Sequence, residues 1–236
     1  MLENYIRWII AHAKWLATLS VLTLLALSYG VTNLTFTSDF RAYFGPENPQ
    51  LLAFENMEKV FSKQENVYFY IHAKEGDLFS NRGLSLIERF TDEGWKLPYS
   101  QKVTSLQNYQ HTEAEDDELI IDYLYYDADE LTDTDLQRIK NISFTEPTLL
   151  HRLISKDGAS TGINVRTVLP EGTTMRTSKE AVLAARTLAQ QIRPDFPEFE
   201  ILVGGSLTSN VTMGEAIKQD IENLLGLSYL VMIITM

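Results

Sequence analysis

From Trp15 to Ser38 the chain carries no charged residue, and from Asn223 to Met236 it again carries none. Between these apolar ends, residues 39–222 hold 18 Lys and Arg against 31 Asp and Glu. This segregation constrains the fold before anything else does. The ends suit hydrocarbon or a buried core, and the acidic middle suits water.

The densest apolar stretch is Trp15–Val31, WLATLSVLTLLALSYGV. With Ala11–Lys14 on the same helix it reaches about 20 residues, or about 30 Å, the thickness of a bilayer core. Thr18, Ser20, Thr23 and Ser28 are compatible with that, because hydroxyls can bond the helix's own carbonyls. Arg7, His12 and Lys14 precede the span and Asp39 follows it. The positive-inside bias therefore places Met1 in the cytoplasm and residue 39 outside. Trp8, Trp15 and Tyr29 suit the two interfaces, and Tyr5–Ile10 suits an amphipathic turn or two along the inner one. A cleaved signal peptide is the alternative, with Ala26-Leu27-Ser28 as a small-x-small site. The fourteen uncharged C-terminal residues reach only about 21 Å as a helix, too short to cross. They read either as a buried core helix or as the start of a second span in a longer membrane protein.

The acidic middle reads as alternating elements. Residues 39–50, DFRAYFGPENPQ, form a linker, and Asn48-Pro49 starts a helix carrying Leu51, Phe54, Met57 and Phe61. Val67–Ala73 is a β-branched and aromatic strand. Ser80/Asn81 caps a helix with Leu84, Ile87, Phe90 and Trp95, stopped by Leu97-Pro98. Lys102–Tyr109 predicts a second strand, and Glu118–Asp127 a third strand or the return arm of a hairpin. A short helix opens at Thr132–Asp135. Leu149–Ser155 and Gly162–Leu169 predict strands around the turn Lys156-Asp157-Gly158. Thr177-Ser-Lys-Glu180 is a capping box for a helix with Ala181, Ala185, Leu188, Ala189 and Ile192 on one face. Glu200–Val203 is the last strand, and a long helix starting near Ser206 or Thr208 runs into the apolar end. Strand-helix-strand, an insertion, then strand-helix-strand is the ferredoxin-like split βαβ pattern of an α+β fold, with helices on one face of a mainly antiparallel sheet. The organisation is therefore 1–38 interfacial segment and span, 39–65 linker and short helix, 66–205 α+β domain, and 206–236 helix leading into the second apolar end.

Little in the chain nominates chemistry. A net charge of −12 disfavours nucleic acid as a partner, and zero cysteines exclude disulfides, thiolate metal sites and a Cys nucleophile. Eleven acidic residues and no Lys or Arg fall between Glu113 and Asp135, but their spacing matches no calcium loop, so a solvated acidic face is expected. His12, His72, His111 and His151 are scattered without ligand spacing. Gly204-Gly205-Ser206 lacks the fuller phosphate-binding patterns and is read as backbone room at a strand-to-helix turn. With no proline in residues 198–236, these glycines are the only soft point between domain and helix, either a coupling hinge or part of a passive tether. The aromatics of 40–70, including Phe40, Tyr43, Phe44, Phe54, Phe61, Tyr68, Phe69 and Tyr70, are expected in core and interface packing, with an apolar substrate path as the alternative. No catalytic, cofactor-binding or metal-binding residue is assigned, and no enzyme is indicated.

The order of these features resembles the resistance-nodulation-division (RND) superfamily, in its MMPL/Patched-like branch of exporters. Asp39-Phe40-Arg41-Ala42-Tyr43-Phe44-Gly45-Pro46-Glu47-Asn48-Pro49 is similar to the stretch after that family's first span. Val67–Ala73 looks like its first porter strand, Val103-Thr104-Ser105-Leu106-Gln107-Asn108 resembles its "V-x-S-L-x-N", and Asp157-Gly158 with Gly162–Val165 resembles its "dG-x-x-t-x-i-x-V" hairpin. The resemblance implies a proton-driven exporter of hydrophobic or lipid-like substrates in the cytoplasmic membrane, with residues 39–205 on the periplasmic side. It also implies about twelve spans in two halves, a bilayer partner, and a second porter-like domain in the remainder of the same polypeptide. The family's proton-relay residues sit in later spans and map to no position here. Substrate identity, direction of transport and homo-oligomer formation stay open. The other class compatible with span, domain, span is an extracytoplasmic sensor in a two-span receptor, which calls for a small-molecule pocket within 66–205. The charge asymmetry makes a direct prediction: a reporter fused after Gly205 is active only if it works outside the cytoplasm, and cytoplasmic activity there reverses the topology.

Overall fold

The computed structural model describes residues 2–31, 44–61, 65–115, 118–170 and 175–235. The chain divides into two compact units, Met1–Thr37 and Ser38–Met236. The linker residues Asp39–Tyr43, which carry most of the first family-like motif, lie outside the described residues.

In the first unit, α1 (Leu2–Ala11) is followed by α2 (Ala13–Val31), with a turn at His12. Apolar and polar residues of α1 fall on separate faces. The Thr18 and Thr23 hydroxyls donate to the carbonyls of Lys14 and Leu19, each at 2.9 Å, so their polarity is satisfied within the helix. The side chains of residues 24–31, the second half of the expected span, lie outside the description. Among the described residues, no helix is long and apolar enough to cross a membrane.

The second unit is mixed α and β. It begins with α3 (Pro49–Phe61), whose first turn is capped as expected: Asn48 Oδ1 accepts from the N–H groups of Gln50 and Leu51. The sheet comprises β1 (Glu65–Ala73), β2 (Ser100–Thr104), β5 (Ser160–Thr167) and β6 (Phe199–Gly204) in the order β2-β5-β1-β6, with every pairing antiparallel. Helix α4 (Asn81–Trp95) connects β1 to β2, and α6 (Met175–Ile192) connects β5 to β6. The two strand-helix-strand units interleave, because β5 lies between β2 and β1.

Alternation fixes which face is buried. Val67, Phe69, Ile71 and Ala73 of β1 point one way, and register sets Val165, Ile163, Ile201 and Phe199 beside them. This face packs against Leu84, Ile87 and Phe90 of α4 and Val182, Ala185 and Ala189 of α6 in one continuous core. The Phe69 and Phe90 rings meet with centroids 4.8 Å apart. The core draws on the last helix too. In α7 (Ser206–Thr235), Leu207 and Val211 are almost fully buried.

Several sequence expectations need correction. The strand expected over Lys102–Tyr109 ends at Thr104, because Asn108 intervenes: its Oδ1 accepts the Ser105 N–H at 2.9 Å and its Nδ2 donates to the Val103 carbonyl at 2.9 Å. Leu149–Ser155 is a turn, not a strand, in which the Leu149 carbonyl accepts from Arg152, Leu153 and Ile154. Leu149 and Ile154 are both buried, and five residues apart they reach one core only if the chain folds back. Thr177 lies inside α6, which has already begun at Met175, and Glu180 accepts from the Tyr99 hydroxyl instead of closing a capping box. A real capping box opens α5 (Asp133–Thr145), where Thr132 and Asp135 exchange hydrogen bonds. Of the two readings of Glu118–Asp127, the hairpin arm is the observed one. β3 (Gln110–Glu115) pairs with β4 (Glu118–Tyr123) as a separate two-stranded ribbon that leaves Leu119 and Ile121 exposed.

Replacing Leu207 by Ala leaves a cavity under the first turn of α7. The expected cost is about 2–5 kcal/mol in the unfolding of this unit, measured by thermal or denaturant melting. An unchanged transition removes α7 from the core.

Candidate functional site

Helices cover one face of the sheet. The other face carries Asn66, Tyr68, Tyr70 and His72 from β1, paired with Arg166, Asn164, Gly162 and Ser160 of β5 and with Gly204, Leu202 and Glu200 of β6. Tyr70 and Leu202 are exposed. Glycine at 162 has a steric reason. A Cβ there would sit 1.7 Å from the Tyr68 hydroxyl, so the Tyr68 ring lies across bare backbone. Burial, and then the neighbouring Tyr70, hold the Tyr68 phenol above its ordinary pKa. The Tyr70 hydroxyl donates to Ser160 Oγ at 2.8 Å, and His72 Nδ1 approaches the same oxygen at 2.9 Å.

At one end of this face, β6 becomes α7 with a single residue between them. That residue, Gly205, has φ +100°, and a Cβ on it would fall 2.5 Å from the Asn66 carbonyl oxygen and 2.9 Å from the Tyr68 nitrogen. Gly204 is different, since a Cβ there meets only the Tyr68 oxygen at 4.0 Å. Asn66 then staples the turn. Its Oδ1 accepts from the Ser206 N–H at 2.9 Å, its own N–H donates to Ser206 Oγ at 3.1 Å, and its Nδ2 donates to Asn164 Oδ1 at 2.7 Å. The side-chain oxygen of Asn66 occupies the place at the helix start where an anion would bind, consistent with reading Gly204-Gly205-Ser206 as backbone room.

A second fastening lies two turns along. Arg186 of α6 places Nη1 2.9 Å from Glu215 Oε2 and donates through Nη2 to Thr212 Oγ1 at 2.7 Å, while Lys179 Nζ lies 3.5 Å from Glu215 Oε1. The hydrogen bond from Arg186 is the main reason that the Glu215 carboxyl is held below its usual pKa, and the charges of Arg186 and Lys179 reinforce it. The first three turns of α7 are therefore fixed to the domain by burial of Leu207 and Val211, by the Asn66 staple and by the Arg186–Glu215 pair. At the expected soft point, Gly205 serves close packing and a left-handed turn, and Asn66 bonds the first residue of α7 to β1.

The other sequence candidates do not converge. The described residues of the acidic stretch 113–135 are spread over the hairpin, a 3-10 turn at Ala128–Glu130 and the start of α5. Within it Glu113 faces Arg138 at 3.2 Å, and Asp122, with its pKa lowered chiefly by the Tyr126 hydroxyl, accepts that proton donor at 2.5 Å. His111 lies 3.6 Å from both Glu113 and Glu146. Among the described residues no three His, Asp or Glu side chains cluster as a metal site would require. Nothing in the sequence singles out Asn66, Arg186 or Glu215, whereas a glycine inside a strand, as at 162, is a signal of close approach that could have pointed to the Tyr68 contact. In comparisons with family models and with curated proteins, the chain matches none.

Gly204→Ala should leave stability nearly unchanged, whereas Gly205→Val should destabilise the unit strongly; equal melting of the two variants removes the steric argument. Glu215→Gln should cost about 0.5–1 kcal/mol at neutral pH, the ordinary range for a partly exposed ion pair. Because the folded carboxyl titrates below its unfolded value, this contribution is complete above the unfolded pKa and disappears as pH falls through the lower, folded one. The gap between parent and variant melting should therefore close under acid.

Proposed function

We propose that this chain is the N-terminal part of a proton-driven RND-type exporter of hydrophobic or lipid-like substrates in the cytoplasmic membrane. On this reading α2 is the first transmembrane helix and the end of α7 begins the second. The ferredoxin-like α+β unit is a periplasmic porter domain, and its uncovered sheet face flanks the substrate path. The observation that carries the proposal is the β6–α7 connection. A split strand-helix-strand sheet ends in one helix of 30 residues, about 45 Å long. That helix passes without interruption from the domain core into a stretch free of charge. Its apolar end manages polarity as α2 does, with the Ser228 and Thr235 hydroxyls donating to the carbonyls of Leu224 and Val231.

The stapled junction gives the proposal a mechanical form. Movement of the second span is passed to β6 and β1 through Ser206, Asn66 and Glu215 without being absorbed at the glycines. Within the sheet, the groove beside Tyr68 and Tyr70 is open to solvent and not enclosed, as a flank completed by other parts of a transporter would be.

The test is export by the complete protein in its native cell. Cells lacking the gene should retain an apolar fluorescent probe that the parent strain expels, and a protonophore should abolish the difference between strains. Within the complete protein, Asn66→Ala should lower export more than abundance. Retention identical in the deletion strain, with no effect of the protonophore, overturns the exporter reading.

A further inference from the structure

The groove on the uncovered face is bounded by β1, β5 and the turn that precedes β5, and it measures about 370 Å³. In a chain of net charge −12, its lining includes His151, Arg152 and Lys156 and contains no acidic residue. Arg152 and Lys156 are exposed, and neither pairs with a carboxylate among the described residues. The acid beside them, Asp157, is engaged elsewhere: it accepts from the Ser155 hydroxyl at 2.6 Å and from the Ala159 N–H at 3.1 Å.

The wall that carries these cations is held in place. The Leu149 carbonyl accepts three N–H groups, His151 adopts a left-handed backbone at φ +66°, and the Thr161 hydroxyl donates to the Leu153 carbonyl at 2.7 Å. The floor is the Tyr68 and Tyr70 pair. The Tyr70 hydroxyl is committed to Ser160, but the Tyr68 hydroxyl, half-buried over Gly162, has no hydrogen-bond partner among the described residues.

We propose that this groove binds a small amphiphilic anion arriving from the aqueous side, with a phosphate or carboxylate head and an apolar body. Arg152 and Lys156 attract and pair the head. The Tyr68 hydroxyl donates to it, and the apolar body lies along the two tyrosine rings. The volume suits a ligand of this size. The proposal stands on the groove alone and does not depend on the exporter reading.

The test uses the full chain in nanodiscs of uncharged lipid, titrated calorimetrically with phenyl phosphate. Saturable one-to-one binding is expected. It should weaken at least tenfold in Arg152→Ala/Lys156→Ala, severalfold in Tyr68→Phe, and markedly in high salt. Inorganic phosphate should compete weakly, and neutral phenyl glucoside should not bind. Both Ala positions are exposed, and a melting curve matching the parent confirms that the variants are folded. Absence of saturable binding overturns the site, as does equal affinity for the neutral glucoside or unchanged affinity in the double variant.

Discussion

β1 is the strand on which the rest of the domain depends. It pairs with β5 on one side and β6 on the other, so it joins both strand-helix-strand units. Val67, Phe69, Ile71 and Ala73 send their side chains to the helices, while Asn66, Tyr68, Tyr70 and His72 go to the opposite face. Burial of a side chain such as Phe69 contributes about 1.5–3 kcal/mol. A slip of one residue in register would expose the whole apolar set and bury the polar one. The same alternation that builds the core therefore also sets the chemistry of the uncovered face.

That face and the α7 junction are mechanically linked through Asn66. Its backbone belongs to β1, and its side chain reaches both Ser206 at the start of α7 and Asn164 on β5. Gly205 permits this approach because any Cβ would collide with β1. The glycine pair thus has two distinct parts. Gly205 is required by geometry, while Gly204 has free space around it. The helix that leaves the sheet through this turn is joined to β1 through Asn66 and to α6 through Arg186 and Glu215.

Within this acidic chain the charge is locally sorted. Glu113 and Asp122 are on the β3–β4 ribbon, away from the main sheet, and the 3-10 turn and α5 take Asp129, Glu130, Asp133 and Asp135. The groove over Tyr68 and Tyr70 is lined by cations alone among charged residues. Net charge describes how the molecule repels or attracts at a distance; recognition at short range follows the local arrangement.

Local chemistry was sufficient for the elements whose signals lie within one turn of chain. The Asn48 cap before Pro49, the Ser80 cap of α4, the β-branched run of β1 and the proline-free course of α7 all act over three or four residues, and each was legible. So was the order of the two strand-helix-strand units, because hydrophobic periodicity records which face each element buries. Where the reading failed, a side-chain contact or the demand of the core overrode the local pattern. Asn108 diverts the backbone that would have extended β2, the core draws Leu149 and Ile154 together into a turn, and Tyr99 takes the carboxylate of Glu180. The site was the least legible part. Asn66 and Ser206 are separated by 140 residues, and Arg186 and Glu215 by 29. Such pairs leave no local pattern, because the energy that selects them exists only once the sheet has closed.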